Sequence, residues 1–390
     1  MKLALVRQQY TDFGGAERYT AALAEHLLAA GHEVHIFAHE WKTDAAASKS
    51  LIFHRVPMLG GLSVCEALSF ARNTKKLLRR EPFDIIHSFE RTIYQDIYRA
   101  GDGCHAEWLI QRRKIDPPYK RIINRINPLH LSLLRLEKQI FAPGSYRLII
   151  ANSERGKKEI MRHYGVPAEK IRVVYNAVDL ERFRPGGSEA DRSTIRSELG
   201  IGAADPMLLY VGSGFKRKGV AAAIRALSCL PDNTRLVVVG RERLRPYQRL
   251  AARHGLAARV HFTGPVRAVE RYYRAADLFV FPTVYEPFSN ACLEAMAAGL
   301  PVVTSRINGA AEVIREGGNG FLIDDPTDAA EIAGRVRQGL QLDRSGVAAV
   351  NRELLPRFTW TAHIRQMADI YAMVLDEKTN REENHEHRAG

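Results

Sequence analysis

Residues 207–220 read Met-Leu-Leu-Tyr-Val-Gly-Ser-Gly-Phe-Lys-Arg-Lys-Gly-Val. The apolar run Met207–Val211 predicts a strand buried on both faces. Glycines and cations follow, and Val220–Leu227 then reads as a helix. A buried strand that turns through glycines into a helix is the repeating unit of a parallel sheet covered by helices. Working outward, the same alternation recurs. Arg235–Gly240, Val260–Phe262, Leu278–Phe281 and Pro301–Thr304 read as strands, with helices at Pro246–His254 and Val269–Ala275. Upstream, Lys2–Val6, Val34–Ala38, Asp84–His87 and Arg147–Ala151 read as strands, and Ala16–Ala30 as a helix stopped by Gly31.

The pattern breaks at Arg182-Phe183-Arg184-Pro185-Gly186-Gly187-Ser188, which predicts a linker. The fold class is therefore α/β, with two Rossmann-like doubly wound domains at 1–183 and 189–359 facing each other across a cleft. A last periodic helix spans Thr361–Leu375, and the polar stretch 377–390 predicts a flexible tail.

Composition bounds the function. The chain has 390 residues, 46% hydrophobic and 26% charged, which excludes disorder as its main state. No apolar run approaches the roughly 18–20 residues of a spanning helix. Met1–Arg7 is too short for a signal peptide and reads as a first strand. Cys65, Cys104, Cys229 and Cys292 lie far apart, which predicts a reduced cytoplasmic protein without a zinc ribbon or disulfide framework. The formal net charge of +13 points to an anionic partner: nucleic acid, an anionic membrane or a phosphorylated substrate.

The chemistry of a doubly wound domain sits in its strand-to-helix loops. Phe13-Gly14-Gly15-Ala16-Glu17-Arg18 opens the first helix, where free N–H groups can meet an anion. It is not a dinucleotide fingerprint, and a plain tight turn fits it as well. Gly212–Gly219 carries Lys216, Arg217 and Lys218 at a strand end, which suits a diphosphate. A solvated basic turn is the alternative. Glu286-Pro287-Phe288-Ser289-Asn290-Ala291-Cys292-Leu293-Glu294 places two carboxylates around a helix start near Ser289. Carboxylates accept hydroxyl hydrogen bonds, as a sugar or ribose site needs. A helix cap with a solvated Glu is the simpler reading. Gly101-Asp102-Gly103-Cys104-His105 puts an Asp in a glycine-rich turn, where it can orient a hydroxyl or take its proton, or serve the turn alone.

Together these loops resemble the retaining glycosyltransferases of family 4, which have the GT-B fold. The resemblance covers nearly the whole chain. It rests on Gly14–Arg18, on Asn176-Ala177-Val178-Asp179, on Arg217-Lys218, and on Glu286 and Glu294 followed by Ala295-Met296-Ala297-Ala298-Gly299-Leu300-Pro301-Val302-Val303. Asp102 stands where many members carry His, and Tyr19 where the nearer ones carry an acid. The resemblance implies transfer of a hexose, with glucose from UDP-glucose the leading donor, to a lipid-linked surface glycan such as the inner-core heptose of lipopolysaccharide. A GDP-mannose- or UDP-N-acetylglucosamine-dependent member is the alternative.

It also implies roles. Arg217 and Lys218 would hold the donor diphosphate, Glu294 the ribose and Glu286 the sugar hydroxyls. Gly14, Gly15, Gly212, Ser289 and Asn290 would complete the donor site, and the backbone at Val266 and Arg267 would read the base. Asp102 would act beside the reacting centre, with Arg18 and His105 near the acceptor. The N-terminal domain would bind the acceptor, the C-terminal domain the nucleotide sugar, and helix 360–376 would return to the first domain. No Asp-x-Asp motif stands at a strand end, so transfer without a metal or other cofactor is expected.

Residues 106–146 hold eight cations, Arg112, Arg113, Lys114, Lys120, Arg121, Arg125, Arg135 and Lys138, against Glu107, Asp116 and Glu137. Apolar residues are interleaved, which suits peripheral binding to the anionic cytoplasmic face of the inner membrane. A solvated face over the first core is the alternative. Nucleic acid fits poorly, since Glu286 and Glu294 would repel phosphate. A sugar-nucleotide isomerase or hydrolase on the same scaffold is separable by its products.

Overall fold

A computed structural model of the protein describes residues 1–11, 15–42, 50–186 and 189–389. The chain divides into two compact units. The first comprises Met1–Ile110, Asp116–Asn176 and Thr361–Gly390, and the second Gln111–Ile115 and Ala177–Trp360.

The strands of the first unit are β1 (Lys2–Val6), β2 (Gln9–Thr11), β3 (Glu33–Ala38), β4 (Glu40–Lys42), β5 (Ile52–Arg55), β6 (Ile85–Ser88), β7 (Ile97–Arg99), β8 (Leu148–Ala151) and β9 (Ile171–Val173). Seven of them form one parallel sheet in the order β5-β3-β1-β6-β7-β8-β9, and β2 pairs with β4 apart from it. In the second unit, β10 (Met207–Val211), β11 (Arg235–Val239), β12 (Val260–Gly264), β13 (Leu278–Phe281), β14 (Val302–Ser305) and β15 (Gly320–Ile323) form a parallel sheet in the order β12-β11-β10-β13-β14-β15. In each sheet the direction of winding reverses beside the first strand: between β1 and β6, and between β10 and β13. Loops leaving the carboxyl ends there diverge and leave room for a ligand. β6, β8, β13 and β14 are buried along their whole length, which is why their sequences are apolar runs rather than alternating ones.

Two boundaries differ from the sequence reading. The first unit ends at Asn176, before the Pro-Gly-Gly stretch, because Ala177–Phe183 is tied into the second. Val178 N–H donates to the Phe358 carbonyl at 2.8 Å, the Arg182 guanidinium meets Glu270 at 3.0 Å, and Phe183 packs edge-on against Tyr273. The last helix runs from Trp360 to Ala389, past the end at 376 expected from the sequence. Side-chain anchors carry it onward. The Lys378 ammonium donates to the carbonyls of Phe83 and Asp84 at 2.8 and 3.1 Å, and Glu377 pairs with Lys170 at 3.1 Å.

Further back, this helix is bound to the first unit by buried polar pairs. Tyr371 Oη meets His87 Nδ1 at 2.8 Å. His363 Nδ1 faces the Tyr175 carbonyl at 2.9 Å, and its Nε2 lies 2.7 Å from Tyr19 Oη. A carbonyl can only accept, so Nδ1 carries the proton and Nε2 accepts from the tyrosine. Burial, then the charge of Arg99, push the His363 imidazole down to about 3, so it stays neutral.

Candidate active site

In the second unit, the loops after β10 and β13 meet where the winding reverses. Gly219 has φ +82°, and a Cβ there would lie 1.9 Å from the Pro282 carbonyl oxygen. Only glycine lets the two loops touch in this way. The Arg217 carbonyl then accepts from Val284 N–H at 2.8 Å and from the Thr283 hydroxyl at 3.2 Å. This pinned backbone aims the Arg217 side chain across the gap. Its Nη1 donates to the Tyr285 carbonyl at 2.6 Å and to Glu286 Oε2 at 2.9 Å. Lys218 Nζ stands 3.4 Å from the same oxygen and 5.5 Å from the centre of the Phe281 ring. At Gly212, φ is +148° and a Cβ would press on Lys218 Cδ and Nζ at 3.3 Å, so glycine gives the lysine its path.

Glu286 is 8% exposed and carries both cations on one oxygen. Both Arg217 bonds use Nη1. Among the described residues its Nε and Nη2 donate no hydrogen bond, and that edge is the fork that binds two anionic oxygens at once. Two cations against one carboxylate leave a positive balance, as a diphosphate requires.

Other residues singled out in the sequence follow β12 and β13 in the same sheet. Ser289 is buried, and its Oγ accepts from Cys292 N–H at 3.3 Å, capping the helix Asn290–Ala297. Its hydroxyl thus serves the helix, whereas Asn290 is half-buried at the first turn. Glu294 Oε2 accepts from Tyr273 Oη at 2.8 Å, and burial together with that carboxylate holds the phenol well above its ordinary range. Burial pushes the Cys292 thiol up to about 12, so it is no nucleophile. Val266 and Arg267 lie in the loop after β12, where Arg182 donates to the Arg267 carbonyl at 3.3 Å.

In the first unit, Asp102 is exposed at the tip of a turn, with 52% of its side chain accessible. The turn is held from below. Arg91 Nη2 donates to the Gly103 carbonyl at 3.3 Å, and Asn152 Nδ2 to the Gly101 carbonyl at 3.1 Å. Arg91 Nη1 stands 3.9 Å from the Asp102 carboxylate. Glu137 is fully buried and accepts from Arg91 Nε at 3.1 Å, from His105 N–H at 2.7 Å and from the Tyr164 hydroxyl. His105 is itself buried, with Nε2 3.0 Å from His130 Nδ1. Its backbone N–H and its ring are thus both tied to the helix Pro128–Ile140. Gly14 lies outside the described residues, and so does the side chain of Arg18, whereas Gly15 opens the helix Gly15–Ala29.

Sequence reading missed Arg91 and Glu137. A signal exists: Leu136, Glu137 and Ile140 share the buried side of helix Pro128–Ile140, and an acid on such a side needs a buried partner. The basic segment also resolves into two parts. Leu136 and Ile140 join the first core, with Leu133 packed against it. Helix Pro118–Ile126 buries no residue, and Tyr119, Ile122, Ile123 and Ile126, at helical spacing, are 60%, 65%, 52% and 71% exposed. Glu107, Asp116 and Glu137 all point inward, so the outer face is more cationic than the sequence count implies.

Residues 13–182 match the Glycosyltransferase Family 4 domain, and residues 191–351 match Glycosyl transferases group 1. The lipopolysaccharide glucosyltransferase WaaG of Escherichia coli K12 is 28% identical over 344 residues, 87% of this chain and 90% of that protein. A D-inositol 3-phosphate glycosyltransferase of Xylanimonas cellulosilytica is 32% identical over 249 residues, 60% of this chain and 58% of that one. The crystal structure of WaaG, a glycosyltransferase involved in lipopolysaccharide biosynthesis, aligns with a TM-score of 0.80 at 26% identity, covering 95% of this chain and 99% of the other.

Proposed function

Because the chain belongs to the GT-B glycosyltransferases, with their family 4 and group 1 domains, we propose that it transfers glucose from UDP-glucose, with retention, to a lipid-linked surface glycan. The inner-core heptose of lipopolysaccharide is the proposed acceptor, in keeping with the likeness to WaaG. The observation that carries the reading is the open Nε/Nη2 edge of Arg217 beside Lys218 and Glu286. In this reading the Arg217 fork and Lys218 hold the donor diphosphate and stabilise the negative charge that grows on the leaving nucleotide. Oε1 of Glu286 accepts a hydroxyl of the donor sugar, and Glu294 accepts from the ribose. Asn290 and the backbone of Gly14, Gly15, Gly212, Val266 and Arg267 complete the donor contacts. Two fixed cations supply the charge that a divalent ion would otherwise bring, so transfer proceeds without a metal or other cofactor.

Asp102 takes the acceptor side, orienting the hydroxyl or receiving its proton. Alanine at Asp102 is expected to lower kcat about 100-fold while the donor Kd moves less than about 3-fold. Single-turnover rates and calorimetric titration with UDP measure the two. Equal losses in both would remove Asp102 from the chemistry. The function is tested by incubating the enzyme with UDP-glucose and a heptose-terminated acceptor, then analysing the product. A new α-linked glucose supports the reading. Transfer only from GDP-mannose or UDP-N-acetylglucosamine would move the chain to another member activity, and free sugar or an epimer would refute transfer.

No helix among the described residues is long and apolar enough to cross a membrane. We place the enzyme on the anionic cytoplasmic face instead, through helix Pro118–Ile126. Its exposed isoleucines would enter the interface while Lys120, Arg121 and Arg125 meet lipid phosphates, at about 1 kcal/mol per basic side chain. Glutamate at both Ile122 and Ile126 is expected to weaken binding to phosphatidylglycerol-containing vesicles at least about 10-fold. The melting temperature should move by less than about 2 °C, since neither side chain is buried. Unchanged vesicle binding in flotation assays would contradict this placement.

A further inference from the structure

Toward the amino-terminal ends of β1 and β3, away from the loops described above, two histidines and a glutamate converge. His35 on β3, His54 on β5 and Glu81 before β6 have ligand atoms within 4.8 Å of one another. It is the only such group of His, Cys, Asp and Glu among the described residues. His35 Nδ1 and His54 Nε2 are 2.7 Å apart, and Glu81 Oε1 lies 3.9 and 3.8 Å from them. Donors bound tetrahedrally to zinc at about 2.0–2.1 Å lie about 3.3 Å from each other, so shifts of about half an ångström would suffice.

The surroundings match a metal site more closely than a chance cluster. His35 Nε2 is 2.7 Å from Glu33 Oε1, a carboxylate that fixes the tautomer and leaves Nδ1 as the lone-pair donor. Both rings are locked by packing. His54 stacks on Phe37 with ring centres 4.3 Å apart, and His35 meets the edge of Phe83 at 5.1 Å. Lys2 Nζ lies 2.8 Å from Glu81 Oε2, the oxygen turned away from the histidines. Glu33, Glu81 and Lys2 together leave one net negative charge beside the donors.

We propose that His35, His54 and Glu81 form a binding site for a divalent transition metal of the zinc class, with Glu33 as the positioning carboxylate. A donor set of two imidazoles and one carboxylate leaves a fourth position for water. The site belongs to the first unit and the Arg217–Glu286 pair to the second, and the metal takes no part in the proposed transfer. It would brace the edge strand β5 against β3.

The test titrates the EDTA-treated, dialysed protein with cobalt(II) and follows its visible absorption. One equivalent of four-coordinate cobalt is expected, displaced by zinc. His54→Ala and Glu81→Gln should each weaken binding at least 10-fold. Both side chains are partly exposed, so these variants should keep the fold. Lys2→Ala, which removes the competing ammonium, should tighten binding. His385→Ala with His387→Ala, in the final helix, should change nothing. No stoichiometric binding, equal binding by His54→Ala, or loss of binding only in the His385/His387 variant would each overturn the proposal.

Discussion

Replacing Arg217 with alanine is expected to lower kcat/KM for the nucleotide sugar about 1,000-fold. Two effects combine. The open guanidinium edge, which would hold two diphosphate oxygens, is lost, and removing one donor of that kind costs roughly 100- to 1,000-fold in turnover. Glu286, 8% exposed, also loses its nearer cation and keeps only Lys218 at 3.4 Å. Its carboxylate would then face the diphosphate with less neutralisation. Arg217→Lys restores charge but no fork, so it should recover about 10-fold at most. Steady-state kinetics on both variants decide the matter. A loss below about 10-fold for the alanine variant would take the diphosphate away from Arg217.

The second large effect is on the fold of the site. Gly219→Ala is expected to destabilise the protein by at least about 3 kcal/mol and to abolish donor binding with it. Left-handed backbone alone costs a non-glycine residue about 1–2 kcal/mol. Here the new Cβ would also fall 1.9 Å from the Pro282 oxygen, so the loops carrying Arg217 and Glu286 must separate. Gly255→Ala is the matched control: its φ is +70°, and nothing lies within 4 Å of its would-be Cβ. It should cost only the backbone share. Urea unfolding of the two variants gives both numbers, and equal costs would show that the contact with Pro282 does not hold the loops together.

The elements that decide the fold are legible because they are buried on both faces. Met207–Val211 and Leu278–Phe281 are unbroken apolar runs, and the structure makes strands of the same residues. The short strands Gln9–Thr11 and Glu40–Lys42 are invisible in the sequence, since each pairs only with the other and neither is an apolar run. Cation-rich helices with apolar residues read alike whether they cover a core or face solvent. Only the structure separates Leu136 and Ile140, which are buried, from Ile122 and Ile126, which are not.

The site is legible in its charged loops but not in its supports. Arg217 and Glu286 stand out as unusual residues at strand ends, yet their pairing depends on two loops that the sheet order brings together. Asp102 is visible in its glycine turn, whereas the Arg91–Glu137 pair beneath it joins segments far apart in sequence. Ser289 and His105 also have structural partners that the sequence does not show: Ser289 Oγ caps a helix, and His105 meets His130 in a buried pair.

The central claim is that the second unit binds a nucleotide sugar through fixed cations. It is tested most directly by a thermal-shift titration with UDP-glucose, GDP-mannose, ADP-glucose and CMP-sialic acid, each in the presence of EDTA. A ligand bound only by the native state raises its stability by about 2.7 kcal/mol at 100 times its Kd. Selective stabilisation by UDP-glucose is expected, undiminished by EDTA and absent in Arg217→Ala. No stabilisation by any of the four, or stabilisation only when magnesium is restored, would contradict it.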